Sequence, residues 1–178
     1  MKSPALTCQF VSTVAFAESP SGKNRPSLTR LDPSATVLTN WHVSAGDFIA
    51  HFEVQYEGGD LTKRGSGLFL GAVDPGGARQ DILILLRNTN PVAYRIVRRS
   101  GRTESDIVRS TPTSLLTSAN NRIDVLSLGG TTSVYINETL VTSTRLAPYA
   151  LDGRYGVFVS PGERYSFDNI VVSPLIRK

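Results

Sequence analysis

Few residues in this chain have the type and spacing for chemistry. The best grouped are His51, Glu53 and Gln55, which alternate along Phe48 to Tyr56. In an extended strand every second side chain shares a face, so these three point one way while Phe48, Ala50, Phe52, Val54 and Tyr56 point the other. One imidazole, one carboxylate and one amide side by side can exchange hydrogen bonds with a polyhydroxylated ligand. Alone they supply one carboxylate, and an ordinary polar strand face is the simpler account of them. His42 and His51 are the only histidines. They are not neighbours on one strand, so a His-rich metal site or a Ser-His-Asp triad would need long-range placement that the sequence does not show. Cys8 is the lone cysteine, which excludes an intramolecular disulfide and any multi-cysteine zinc site.

Flat aromatic rings suit the apolar face of a sugar. Of Trp41, Tyr56, Tyr94, Tyr135, Tyr149, Tyr155 and Tyr165, the pattern turns Tyr56 and Tyr155 inward. Tyr135 lies opposite the Val134/Ile136 face and is the best outward platform, although cross-strand packing is its simpler role. Tyr135, His51, Glu53 and Gln55 are therefore the candidate carbohydrate-binding residues. Asn137-Glu138-Thr139 spells an N-glycosylation acceptor at a turn, and we attach no function to it.

These residues must be positioned by strands. The last third of the chain alternates short apolar runs with tight turn signals: Arg122 to Leu128, Gly129-Gly130, Ser133 to Ile136, Asn137-Glu138, Thr139 to Thr142, then Tyr155 to Val159 and Tyr165 to Val172. That rhythm specifies antiparallel β-structure. Upstream, Thr36 to Trp41, Phe48 to Tyr56, Gly65 to Val73, Asp81 to Arg87 and Ala93 to Arg98 read as further strands. Turns are expected at Glu57 to Asp60 and Asp74 to Gly77. Ser100 to Asn120 is polar and Pro-broken, with no regular element expected beyond Asp106 to Arg109. No segment of three helical turns carries an amphipathic stripe. The chain is expected to be all-β, a two-sheet antiparallel jelly-roll sandwich.

Its 178 residues suit one domain that buries about two-thirds of its extended surface. Residues 35–178 are assigned to the sandwich, and residues 1–34 to a leader, an edge strand or a linker. Lys2, the uncharged stretch after it and Ala15-Phe16-Ala17 have features of a secretion signal. An edge strand over Gln9 to Phe16 accounts for the same residues. No apolar run approaches the roughly 20 residues that span a bilayer. The net charge of +4 equals the surplus between Arg87 and Arg109, where six arginines face Glu104 and Asp106. The remainder is balanced, which argues against a general nucleic-acid binder.

The order Asn121-Arg-Ile-Asp-Val, Ser133-Val-Tyr-Ile-Asn137, Gly153-Arg-Tyr-Gly-Val157 and Phe167-Asp-Asn-Ile-Val-Val-Ser-Pro-Leu175 resembles the concanavalin A-like lectin/glucanase superfamily, in its laminin-G-like, DUF1080-like bacterial jelly-roll branch. The resemblance spans Val37 to Leu175, and its specific part is the last third. It implies two curved antiparallel sheets, and it leaves activity open because such folds host lectins, hydrolases and inert spacers. The branch has Gly after its V-Y-V-N strand, where this chain has Glu138. The turn is therefore of another type or relies on Asn137. In Phe167 to Val172 strict alternation cannot bring Phe167, Ile170 and Val172 to one face, so a bulge is expected at Asp168-Asn169.

Glucanases of the superfamily carry paired carboxylates at E-x-D-x-x-E spacing, and that pattern is absent. Some laminin-G-like relatives bind calcium, which would draw on Asp124, Asp152, Asp168 and Asn169. Asp168 and Asn169 are the candidate metal ligands, with turn capping the simpler role for both. Ca²⁺ is the one cofactor considered. The expected function is non-catalytic recognition, most directly of a glycan at a concave sheet face, in an exported or cell-surface protein. The alternatives are a hydrolase of the keto-disaccharide type and a structural or protein-interaction module.

Overall fold

The computed structural model describes residues 27–29, 36–42, 47–59, 65–87, 89, 91–101, 103–146, 150–160 and 163–175. Twelve strands run through them: β1 (Ser27–Thr29), β2 (Thr36–His42), β3 (Phe48–Gly59), β4 (Ser66–Val73), β5 (Arg79–Arg87), β6 (Ala93–Ser100), β7 (Thr103–Pro112), β8 (Asn121–Leu128), β9 (Thr131–Ile136), β10 (Thr139–Arg145), β11 (Ala150–Val159) and β12 (Glu163–Pro174). They form two six-stranded antiparallel sheets, ordered β1-β12-β3-β8-β9-β10 and β2-β11-β4-β5-β6-β7. The expected jelly-roll sandwich is what the chain forms. The Met1 to Ala17 segment lies outside the described residues. Ser27–Thr29, within the stretch read as a leader, edge strand or linker, pairs with β12.

Alternation builds the core of the first sheet. Phe48, Ala50, Phe52 and Val54 of β3 are buried together with Ile123 and Val125 of β8, Val134 and Ile136 of β9, and Phe167, Ile170 and Val172 of β12. Phe52, Phe167, Tyr165 and Tyr56 form a chain of tilted and edge-to-face rings. The expected bulge in β12 is present. Register jumps from Asp168 opposite Glu53 to Val171 opposite His51, and Asn169 takes φ 51°. The extra residue moves Ile170 and Val172 onto the face that holds Phe167.

The second sheet obeys a different rule. Ile82, Ile84 and Leu86 of β5 face the main core, whereas Leu83 and Leu85 join Phe69, Val97 and Phe158 in a second apolar cluster on the opposite face. A strand buried on both faces reads as an unbroken apolar run, which is why Ile82 to Leu86 shows no alternation. The guanidinium of Arg99 lies over the Phe158 ring and that of Arg154 over Phe69. Gly67 is obligatory here, because a Cβ would collide with the Ile84 carbonyl oxygen.

Two expectations change. Glu57 to Gly59 is not a turn: β3 continues to Gly59, held by pairing with Glu163 and Arg164. Ser100 to Asn120 is not largely irregular either, because β7 spans ten of its residues as the edge strand beside β6. An edge strand with polar residues on both faces carries no periodic apolar signal. The arginine surplus is partly neutralised there, since Arg95 pairs with Asp106 and Arg99 with Asp81.

Candidate functional site

The solvent face of the first sheet collects the candidate residues. Cross-strand register sets Val171, His51, Asp124, Tyr135 and Leu140 in one row across β12, β3, β8, β9 and β10. A parallel row holds Ser173, Ile49, Leu126, Ser133 and Ser143. On the other side Asp168, Glu53 and Arg122 are aligned. The face is thus graded, from charged through mixed to apolar and hydroxyl-bearing.

Each polar group is held. His51 Nδ1 lies 2.8 Å from Asp124 Oδ1. Asp124 also accepts from Arg122, 3.0 Å from Nε to Oδ2, and Arg122 Nη1 reaches Glu138 Oε1 at 3.3 Å. The His51 and Asp124 side chains keep 26% and 16% of their exposure, so they are accessible but set into the surface. Glu53 accepts the Asn169 side-chain amide at Oε1, 3.0 Å away, and the Asn120 amide at Oε2. Gln55 is half-buried opposite Ser166, one step further along β3. Tyr135 is half-buried, with Asp124 on one side and Leu140 on the other.

The loop before β8 is fixed from within. Buried Asn121 accepts from the Thr117 backbone N–H at 2.8 Å and donates to the Thr117 and Ala119 carbonyls, both at 2.9 Å. Asn137 donates to the Leu115 carbonyl at 2.7 Å and accepts from the Arg122 N–H at 2.8 Å. Its amide therefore serves the loop, which is a structural use for the asparagine of the Asn137-Glu138-Thr139 triplet.

Ile49, Leu128 and Leu140 are exposed by 38%, 46% and 52%, and all three sit on this same face. These apolar side chains are left in water on the face that also carries His51, Asp124 and Tyr135. By contrast, a small open pocket lined by Tyr56, Leu86, Arg87, Thr117, Asn121 and Tyr165 has a volume of about 20 Å³, room for about one water.

His51, Glu53, Gln55 and Tyr135 therefore share one surface. Tyr94, Tyr155 and Tyr165 are buried, and the Tyr94 hydroxyl donates to the Val141 carbonyl at 2.8 Å. The side chains of Trp41, His42, Tyr149 and Asp152 lie outside the described residues. Asp168 and Asn169, the candidate calcium ligands, are engaged with each other and with Glu53. Asp168 Oδ1 takes the Asn169 backbone N–H at 2.8 Å, and the Asn169 amide is turned to Glu53. Among the described residues no three His, Cys, Asp or Glu side chains gather as metal ligands, whereas calcium takes six to eight oxygens. Sequence reasoning missed Arg122 and Asn120 as parts of this surface, considered Asp124 only as a calcium ligand, and read Asn169 as a bulge, turn-capping or metal-ligating residue.

No family model matches the sequence, and no curated protein matches it. Among solved structures, the carbohydrate-binding module CBM66 from Bacillus subtilis superposes with a TM-score of 0.57 at 13% identity, over 94% of this chain and 92% of that one. What they share is the fold. The xylan β-1,4-xylosidase from Bacillus halodurans C-125 superposes with a TM-score of 0.54 at 8% identity, over 86% of this chain and 33% of that one. The match extends over most of the first protein and about a third of the second. Among the described residues no helix is long and apolar enough to cross a membrane.

Proposed function

We propose that the chain is a non-catalytic carbohydrate-recognition module of the laminin-G-like, DUF1080-like jelly-roll kind, acting outside the cell, and that its ligand lies on the solvent face of the first sheet. The observation that carries this reading is the row His51, Asp124, Tyr135 and Leu140. It places anchored hydrogen-bonding groups beside an accessible ring and an exposed apolar side chain. A sugar has the same two characters, a rim of hydroxyls and an apolar C–H face. The likeness in fold to a carbohydrate-binding module adds support without identifying a sugar.

The contact of His51 with Asp124 keeps a hydrolase reading in view, because it brings an acid to the imidazole. Glycoside hydrolysis also needs a carboxyl that holds a proton for the leaving oxygen, which enzymes arrange by apolar burial. Glu53 and Asp124 are instead surrounded by N–H donors. Binding is the better-supported reading.

A glycan array followed by titration calorimetry tests the proposal. Binding that disappears in His51→Ala and Tyr135→Ala supports it. No signal at high protein concentration overturns it and leaves a structural or protein-interaction module. Release of smaller sugars from a bound oligosaccharide would move the conclusion to an enzyme.

A further inference from the structure

His51 and Tyr135 belong to one row, yet they do not stand side by side. Asp124 on β8 is the register partner of both, of His51 on β3 and of Tyr135 on β9, so one whole strand separates them. Neighbouring strands lie about 4.8 Å apart, which sets the two backbones roughly 10 Å from each other across the sheet. The position between them adds no platform. Asp124 is held by His51 at 2.8 Å and by Arg122 at 3.0 Å, and its side chain keeps only 16% of its exposure. Past Tyr135 the row ends on Leu140 of the edge strand β10, which is well exposed. One end of the row thus offers hydrogen bonds at His51, and the other offers apolar surface at Tyr135 and Leu140.

We infer that the ligand is an oligosaccharide laid across the strands, with one sugar unit at His51 and another at Tyr135, and not a single sugar. This rests on the carbohydrate reading above and deepens it by naming the class of glycan. Covalent bonds of about 1.5 Å place a hydroxyl oxygen roughly 3 Å from the centre of a pyranose ring. A hydrogen bond adds about 3 Å more. A ring centred over Tyr135 therefore reaches about 6 Å to either side, short of the roughly 10 Å that separates it from His51. The imidazole does not close the gap, because its Nδ1 is tied to Asp124 and its other nitrogen is directed away from that carboxylate. The two ends also suit different parts of a sugar, a hydroxyl edge at His51 and a C–H face at Tyr135 and Leu140. Separate units of one chain can offer both at once.

Calorimetric titration of the full chain with xylose and xylotetraose, and with glucose and laminaritetraose, tests this beside His51→Ala, Tyr135→Ala and Tyr135→Phe. The parent is expected to bind the tetrasaccharide of its preferred series at least tenfold more tightly than the monosaccharide, the scale of one added stacking contact. His51→Ala and Tyr135→Ala should each remove most of that gain, while the monosaccharide should be weakened by only one of the two. Tyr135→Phe keeps the ring and should keep the gain, which separates loss of the platform from a disturbed fold. If monosaccharide and tetrasaccharide bind alike, or if both alanine variants weaken the monosaccharide equally, the site takes a single sugar. The two-unit inference is then wrong while the carbohydrate reading stands. If the parent binds none of these sugars, both fail.

Discussion

His51 Nδ1 and Asp124 Oδ1 stand 2.8 Å apart on register partners of β3 and β8. With Arg122 on its second oxygen, Asp124 fixes the orientation of the imidazole and directs its other nitrogen away from the carboxylate. Asp124→Ala removes both contacts from a mostly covered position. We expect it to lower stability by about 1 kcal/mol in urea denaturation, the usual scale for such pairs. Asp124→Asn keeps one acceptor and should lose less.

The turn between β9 and β10 carries Asn137 at φ 47° and Glu138 at φ 69°. Two successive left-handed residues define a type I′ turn, whose second position favours glycine. Glu138 holds that conformation at a cost of about 1 kcal/mol, against an exposed contact with Arg122 worth less. Glu138→Gly is therefore expected to raise stability by about 0.5–1 kcal/mol. Equal midpoints in chemical denaturation would show that the Arg122 contact offsets the strain.

The readable parts of this fold are those where one face is wet. Phe48 to Tyr56 and Arg122 to Leu128 alternate because β3 and β8 each have one buried and one wetter side, and the β12 bulge follows from the Phe167, Ile170, Val172 mismatch alone. Ile82 to Leu86 gives no face because both of its faces are buried, and β7 gives none because it is an edge. Tyr135 could be assigned outward by the same alternation that buries Val134 and Ile136. The partners of the site were beyond reach for another reason. His51 meets Asp124 across 73 positions and Glu53 meets Asn169 across 116. Such contacts depend on the order β12-β3-β8, which no local pattern encodes.

Tyr155 supplies a prediction about alkaline stability. Its ring is buried in the main core, and burial raises the phenol above its ordinary value of 10.0 by disfavouring the phenolate. The folded state thus holds the proton more tightly than the unfolded chain. The stabilisation is complete below pH 10 and is lost as pH rises through the folded-state value. Thermal unfolding from pH 9 to 11.5 should show the melting temperature of the parent falling more steeply than that of Tyr155→Phe. Parallel curves would mean that this hydroxyl reaches solvent.

The exposed apolar side chains around Tyr135 permit a sharper test of where a ligand lies. Leu140 is register partner to Tyr135 on β10, and Ile49 lies one step from His51 on the same face of β3. Both are exposed, so removing either takes little from the core, and surface changes of this kind usually shift stability by less than about 0.5 kcal/mol. Losing a stacking ring costs binding roughly 1–3 kcal/mol. Tyr135→Ala is therefore expected to weaken glycan affinity by tenfold or more, and Leu140→Ala by a smaller factor with a nearly unchanged melting temperature. Leu128→Ala, at the far end of β8, should change affinity least. Calorimetric titration of the three variants ranks them. A ranking with Leu128 first would move the ligand from the His51 row to the end of β8 and the adjoining β8–β9 turn.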